Sequence, residues 1–215
     1  MKYRFIDNNS NELIVFFNGW GMDGNLLNHF DNEDKDILIF FDYHNDTVLP
    51  TVNLKKYEST YIIAWSMGVF IANQLADKLN QNITKSIAIC GSPYPVHNEY
   101  GIPVKIFDLT CKGLRLAGTD KFFQQMFAGS DNSLFNRPQR ELFEQIDELN
   151  NLKDVSIDAN MNNFQWDVAL VGVKDRIFPA RNLVSYWNDK TKLVQEEMPH
   201  YPFNLYDSWS KILSL

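Results

Sequence analysis

The sequence predicts an α/β protein with a mostly parallel central sheet flanked by helices and a small, mainly helical cap inserted into it. Three observations carry this. Short apolar runs recur, among them Glu12 to Phe17 (ELIVFF), Asp36 to Phe41 (DILIFF), Ser59 to Ala64 and Lys85 to Cys90 (KSIAIC); their length and branched or aromatic content suit buried strands. Helix-like stretches alternate with them, which implies strands covered on both faces. The alternation then lapses between Pro93 and Asn163 and resumes at Trp166 to Val171 (WDVALV).

Taken in order, Tyr3 to Ile6 forms a short first strand and Asp7 to Asn11 (DNNSN) a turn. The strand Glu12 to Phe17 runs into Asn18-Gly19-Trp20-Gly21-Met22-Asp23-Gly24, where three closely spaced glycines mean a tight loop with close backbone approach. Leu26 to Phe30 starts a helix, and Asp42 to Asp46 is a polar turn after the strand Asp36 to Phe41. From Met67 to Asn80, Val69, Phe70, Ala72, Leu75, Ala76 and Leu79 recur at helical spacing. Residues 93–163 read as a cap over the active-site end of the sheet, with helices over Thr119 to Phe127 and Pro138 to Leu149. Pro179 opens a helix reaching Trp187, consistent with proline in a first turn. Lys192 to Glu197 is the last strand, and a final helix covers Leu205 to Leu213. A chain of 215 residues supplies one full core, whereas two domains would each be small, so residues 1–215 are expected to form a single domain.

Composition narrows the function classes. A hydrophobic content of 45% argues for a packed globular protein, and a net charge of −7 argues against general nucleic-acid binding. Two cysteines, Cys90 and Cys111, suit reduced thiols rather than a disulfide framework. The first residues, MKYRFID, lack the apolar core of a signal peptide, and no apolar run approaches membrane-spanning length. A cytoplasmic protein without membrane or nucleic-acid partners is expected. Charge is uneven: residues 101–140 carry Lys105, Lys112, Arg115, Lys121, Arg137 and Arg140 against Asp108, Asp120 and Asp131. This basic cap suits an acidic partner, although from composition alone ordinary solvated charge is the simpler account.

The chemistry centres on Tyr61-Ile62-Ile63-Ala64-Trp65-Ser66-Met67-Gly68-Val69. Strand, sharp turn, serine and helix form the layout of a nucleophile elbow. Small neighbours are needed because the helix starts almost on top of the strand; Gly68 and Ala64 supply them, the latter where glycine is usual. An N-capping serine after a plain strand would look the same, so partners elsewhere must decide. Asp175 lies just past the strand ending at Val171, and His200, in Met198-Pro199-His200-Tyr201-Pro202, follows the last strand. The order Ser66, Asp175, His200 is the one α/β-hydrolases use. A Ser-His-Asp triad would let His200 take the Ser66 proton while Asp175 fixes the imidazole. Backbone N–H groups of Trp20 and Met67 are the candidates for an oxyanion hole. His29, His44 and His97 are rival bases, of which His97 at the cap entry is the strongest. No zinc spacing, P-loop or dinucleotide fingerprint is present. No metal is expected.

These motifs carry a resemblance. Asn18-Gly19-Trp20-Gly21-Met22, Ala64-Trp65-Ser66-Met67-Gly68, Gly91-Ser92-Pro93, Gly172-Val173-Lys174-Asp175 and Pro199-His200-Tyr201-Pro202-Phe203 resemble the pimeloyl-[acyl-carrier protein] methyl ester esterases of biotin synthesis, in particular their short BioG branch. The resemblance implies the α/β-hydrolase fold and a serine carboxylesterase that splits the methyl ester of pimeloyl-[acyl-carrier protein] methyl ester into pimeloyl-[acyl-carrier protein] and methanol. It implies no cofactor beyond water. It implies an acyl carrier protein as partner, with Arg115, Arg137 and Arg140 as candidates for docking it. Phe123 and Phe127, among the apolar cap residues, are candidates to line the acyl channel, or else pack the cap against the sheet. The enzyme is expected to be a monomer. A generic short-chain carboxylesterase or an acyl thioesterase would share the same catalytic residues, and a hydrolase fold reused as a binding module would normally have lost one of them.

Overall fold

The computed structural model describes residues 1–31, 34–44, 52–79, 82–158 and 162–215. Seven strands form one sheet: β1 (Lys2–Ile6), β2 (Glu12–Phe17), β3 (Asp36–Phe41), β4 (Ser59–Trp65), β5 (Ile83–Ile89), β6 (Val168–Gly172) and β7 (Lys192–Glu196). Their spatial order is β1-β3-β2-β4-β5-β6-β7. Only the edge strand β1 runs antiparallel, to β3; the other neighbours are parallel. The helices are α1 (Gly68–Leu79), α2 (Val104–Ala117), α3 (Asp120–Phe127), α4 (Leu142–Asp158), α5 (Ala180–Trp187) and α6 (Trp209–Leu213). This is the α/β-hydrolase fold, with α2, α3 and α4 as a helical insertion between β5 and β6.

Side-chain alternation sorts the core into two layers. Leu13, Val15 and Phe17 of β2 face a layer with Val69 and Phe70 of α1 and Leu183 and Trp187 of α5. Ile14 and Phe16 face the other, where Phe16 and Phe30 both meet Trp209 of α6 edge-on, at 5.5 and 5.1 Å between ring centroids. Register aligns the carboxyl ends: Phe17 pairs with Ala64, and Ala64 with Ala88. The loops after β2, β4, β5 and β6 therefore open at one end of the sheet, where ligands bind in such folds.

The structure departs from the sequence expectations at several element ends. Leu26 to Phe30 is not a helix: Asn28 and Phe30 donate to carbonyls three residues back, Asn25 and Leu27, and the apolar side chains of Leu26, Leu27 and Phe30 are buried within this compact turn. The final helix is shorter than expected because Ser208 caps it, its hydroxyl accepting the Lys211 N–H, while Leu205 and Tyr206 donate to the Pro202 carbonyl in a separate turn. Helix α4 starts four residues later and ends nine later than Pro138 to Leu149. Asn80, Asn45 and Asp46, included in the expected helix and turn, lie outside the described residues. Helix α2 has no counterpart among the helices expected from the sequence. Its signal was Pro103 just before it and Gly118 (φ 68°) just after it, with buried Phe107, Cys111 and Leu114 along one face. Among the described residues, no helix is long and apolar enough to cross a membrane.

Candidate active site

Ser66 sits between β4 and α1 with φ of 60°, a left-handed conformation that a non-glycine residue adopts only when its surroundings enforce it. The enforcement is visible. The Ser66 N–H donates to the Ile89 carbonyl of the neighbouring strand at 2.9 Å, and its own carbonyl accepts from Val69 N–H at 3.1 Å. A Cβ on Gly68 would lie 2.3 Å from the Phe17 carbonyl oxygen, so only glycine lets α1 begin this close to β2. Ala64, by contrast, is fully buried in β4 and accommodates its methyl group.

His200 reaches Ser66 from the loop after β7. Its Nε2 lies 2.9 Å from Ser66 Oγ, and its Nδ1 lies 2.7 Å from an oxygen of Asp175. The other Asp175 oxygen accepts the N–H groups of Ile177 and Phe178, at 2.7 and 2.9 Å. The imidazole is held between two rings, Trp65 (5.4 Å) and Phe178 (5.9 Å and nearly parallel), and Trp65 donates its indole N–H to the His200 carbonyl. These contacts fix the ring plane.

The expectation of a Ser-His-Asp triad on its own is corrected here: the ionisable cluster includes a further buried group, and Ser66 meets that cluster at His200 Nε2. The buried ionisable cluster is Cys90, Asp175 and His200, with Sγ, a carboxylate oxygen and a ring nitrogen all within 4.8 Å of one another. Cys90 directly follows β5, with a left-handed φ of 46°, and is fully buried. Burial, reinforced by the Asp175 charge, pushes its thiol well above the usual cysteine range. By composition alone Cys90 is a reduced thiol at a strand end. Its position one residue after β5, next to the strand that carries Asp175, is the signal for its place in the cluster.

Trp20 and Met67 flank the serine. Among the described residues, neither backbone N–H donates to a protein acceptor, and both residues line the cavity over Ser66. The Trp20 loop is braced from the insertion. Trp20 donates its indole N–H to the Gln145 carbonyl of α4 at 2.7 Å, and Gly21 N–H donates to the Glu148 carboxylate at 3.2 Å. Glu148 is fully buried; burial raises its pKa, while Arg140 and the Tyr43 N–H oppose the rise.

A cavity of about 310 Å³ opens onto Ser66 and His200. Its walls are mostly apolar, from Ile102, Phe107, Leu114, Phe122 and Met126, with Lys121 and Arg176 among its few charged groups. The sequence candidates fall unevenly around it. Phe123 and Phe127 do not line this cavity: they pack with Phe135, and Phe127 with Tyr201, inside the core, while the adjacent Phe122 faces the cavity. Arg140 is no surface docking residue, because its guanidinium is buried between Asp42 and Glu148. Arg137 is exposed but engaged by Asp120 at 2.5 Å and by Thr119. Arg115 is exposed in the last turn of α2. Of the rival bases, His97 hydrogen-bonds Glu99 and Tyr100 N–H groups and stacks on Tyr100, and His44 contacts Asp42.

Comparisons with known proteins agree with this architecture. The chain is 35% identical over 194 residues to a malonyl-[acyl-carrier protein] O-methyltransferase of Bacteroides fragilis (strain 638R), covering 88% of this chain but only 39% of that protein. It is 30% identical to a Haemophilus influenzae protein over 99% of both. The crystal structure of BioG from Haemophilus influenzae superposes with a TM-score of 0.87 at 29% identity, over 99% of each chain. A family model described as pimeloyl-ACP methyl esterase BioG matches residues 1–212. The chain therefore belongs to the BioG family of pimeloyl-[acyl-carrier protein] methyl esterases.

Proposed function

We propose that this protein hydrolyses the methyl ester of a pimeloyl chain carried on acyl carrier protein, releasing methanol and pimeloyl-[acyl-carrier protein]. The observation that carries this beyond family membership is the apolar cavity that ends on Ser66 and His200. It suits an extended acyl chain whose far-end ester must meet a nucleophile. A relative named for methylating a carrier-bound acyl group contains a segment similar to this chain, which fits a methyl ester on a carrier.

In this mechanism Ser66 Oγ attacks the ester carbonyl carbon as its proton passes to His200 Nε2. The oxygen that gains charge faces the Trp20 and Met67 N–H groups, one such donor being worth about 3 kcal/mol in the transition state. Collapse expels methoxide, which takes the proton from His200 and leaves as methanol. Water then attacks the acyl-serine; His200 removes its proton and returns one to Ser66. Asp175 holds the imidazole through Nδ1 and stabilises its cation, with the Cys90 thiol buried beside it. Cys90 itself is excluded as nucleophile: it is fully buried and neutral, while Ser66 lines the cavity. Residues 93–163 act as the cap of one domain spanning 1–215. A cytoplasmic location fits the two free, buried thiols.

The test is hydrolysis of methyl-pimeloyl carrier protein by wild type, Ser66→Ala, His200→Ala and Asp175→Asn. Turnover lost in the first two variants and reduced in the third is expected. Brisk hydrolysis of p-nitrophenyl esters or acyl thioesters with none of the carrier substrate would overturn the substrate assignment.

A further inference from the structure

The basic surface of the insertion differs from the arginine set expected from the sequence. With Arg140 buried and Arg137 engaged by Asp120, the accessible cations of the insertion lie on α2 and at Lys121 of α3. Lys105, Leu109, Lys112 and Leu116 follow one another at spacings of four, three and four residues, which places them in a single stripe along a helix. The opposite face, with Phe107, Cys111 and Leu114, is buried in the core. Leu109 is 62% and Leu116 is 88% exposed, unusual for leucines on a helix that already has a buried face. Both lysines are exposed, and neither forms an ion pair among the described residues. The only acid of α2, Asp108, is bonded to Lys153 at 2.6 Å. The stripe is thus basic and apolar by turns, on a protein of net charge −7.

Its position matters as much as its chemistry. Leu109 lies both in the stripe and in the cavity wall, and Ile106, Thr110 and Gly113 of the same helix also border the cavity. Lys121 and Arg176 complete a cationic border. A partner seated along α2 would deliver a tethered acyl chain straight into the cavity over Ser66.

We infer that the Lys105-Leu109-Lys112-Leu116 stripe of α2 is the docking surface for the acyl carrier protein, its lysines meeting carboxylates on an acidic helix and Leu116 meeting an apolar residue between them. This rests on the proposed function. Charge complementarity selects the occupant: an acidic, acyl-bearing protein fits a basic stripe continuous with an acyl cavity. The lysines act mainly on encounter and Leu116 on retention.

The experiment compares wild type with Lys105→Glu/Lys112→Glu and with Leu116→Asp on two substrates, methyl-pimeloyl carrier protein and a soluble p-nitrophenyl ester. For the double variant, KM on the carrier substrate should rise about 10-fold or more while kcat/KM on the small ester changes less than about 2-fold. Raising salt from about 0.05 to 0.5 M should raise the wild-type carrier KM and leave that of the double variant nearly flat. Unchanged carrier KM in both variants would overturn the docking surface and leave the esterase assignment standing. Failure of the wild type itself on the carrier substrate, with hydrolysis of the small ester, would overturn both. An equal loss on both substrates would place α2 in the fold of the site rather than in docking, and would also overturn the inference.

Discussion

Arg140 and Glu148 form a buried ion pair, Nη1 to Oε at 2.5 Å, that ties the helical insertion to the loops around the active site. The second guanidinium nitrogen meets Asp42 at 2.8 Å, just past β3, and the Glu148 carboxylate also accepts the N–H groups of Gly21 and Tyr43. One carboxylate thus spans the loop after β2, the end of β3 and α4. Replacing Glu148 with alanine leaves one guanidinium nitrogen and two amides unpaired away from water and should destabilise the protein by about 3–5 kcal/mol in urea unfolding. Glu148→Gln keeps an acceptor oxygen and the side-chain shape. It should fold, keep KM within about 2-fold and lower kcat about 10-fold, because the Trp20 N–H proposed to face the oxyanion loses its brace. Equal kcat for Glu148→Gln and wild type would show that the pair serves stability alone.

The Cys90 thiol and the Ser66 hydroxyl make opposite predictions for who attacks the ester. Cys90 is fully buried, off the cavity and neutral, whereas Ser66 meets His200 Nε2 and lines the cavity. Cys90→Ala should retain activity within about 10-fold, while Ser66→Ala should lose about 10⁴-fold or more. Folded protein at pH 8 should also leave Cys90 unreacted with a thiol reagent, and unfolding should expose it. Loss of activity in Cys90→Ala comparable to that in Ser66→Ala would reverse the assignment.

The strands were legible because each is a short apolar run with a polar or glycine-rich end, and β2 and β3 coincide with their expected spans. Ser66 was legible through Gly68, since one residue type alone fits against the Phe17 carbonyl. What escaped were properties that depend on long-range partners. Arg140 is an ordinary cap arginine in sequence; only the approach of Asp42 and Glu148, 98 and 8 residues away, buries it. Phe122 and Phe123 are adjacent and chemically equal, and the pitch of α3 alone sends one to the cavity and the other to the core. Cys90 joins the buried cluster because β5 ends beside the strand that leads to Asp175, a relation set by strand order rather than by local sequence.

Gly68 and Ala64, two residues on either side of Ser66, should respond in opposite ways to a one-carbon change. Gly68→Ala drives a methyl into two backbone carbonyls, 2.3 Å from Phe17 and 2.5 Å from Asn18. Neither carbonyl can retreat without moving β2, so a loss of about 3 kcal/mol or more is expected, with activity abolished by displacement of Ser66. Ala64→Gly removes a methyl that the fully buried strand accommodates. It should cost only about 1 kcal/mol, from backbone entropy, and leave kcat within about 3-fold. Thermal or urea unfolding beside steady-state rates separates the two.

Acid stability should depend on Asp36, which begins β3 with no exposed surface. Burial opposes its ionisation more than any single contact favours it. Hydrogen bonds from the Tyr57 hydroxyl (2.6 Å), Ser10 N–H (3.0 Å), Lys56 (3.0 Å) and Asn8 N–H (2.8 Å) together outweigh it and hold the carboxyl at about 2, against an ordinary 3.8. A carboxyl depressed in the folded state contributes stability that is complete above its unfolded pKa and lost as pH falls through the folded one. Here that window runs from just above 3.8 down to about 2. The shift corresponds to about 2 kcal/mol. Asp36→Asn should therefore be less stable than wild type at pH 7 and show a flatter loss of stability between pH ~5 and ~2 in urea titrations. Parallel acid limbs for the two proteins would show that other carboxylates carry the acid sensitivity.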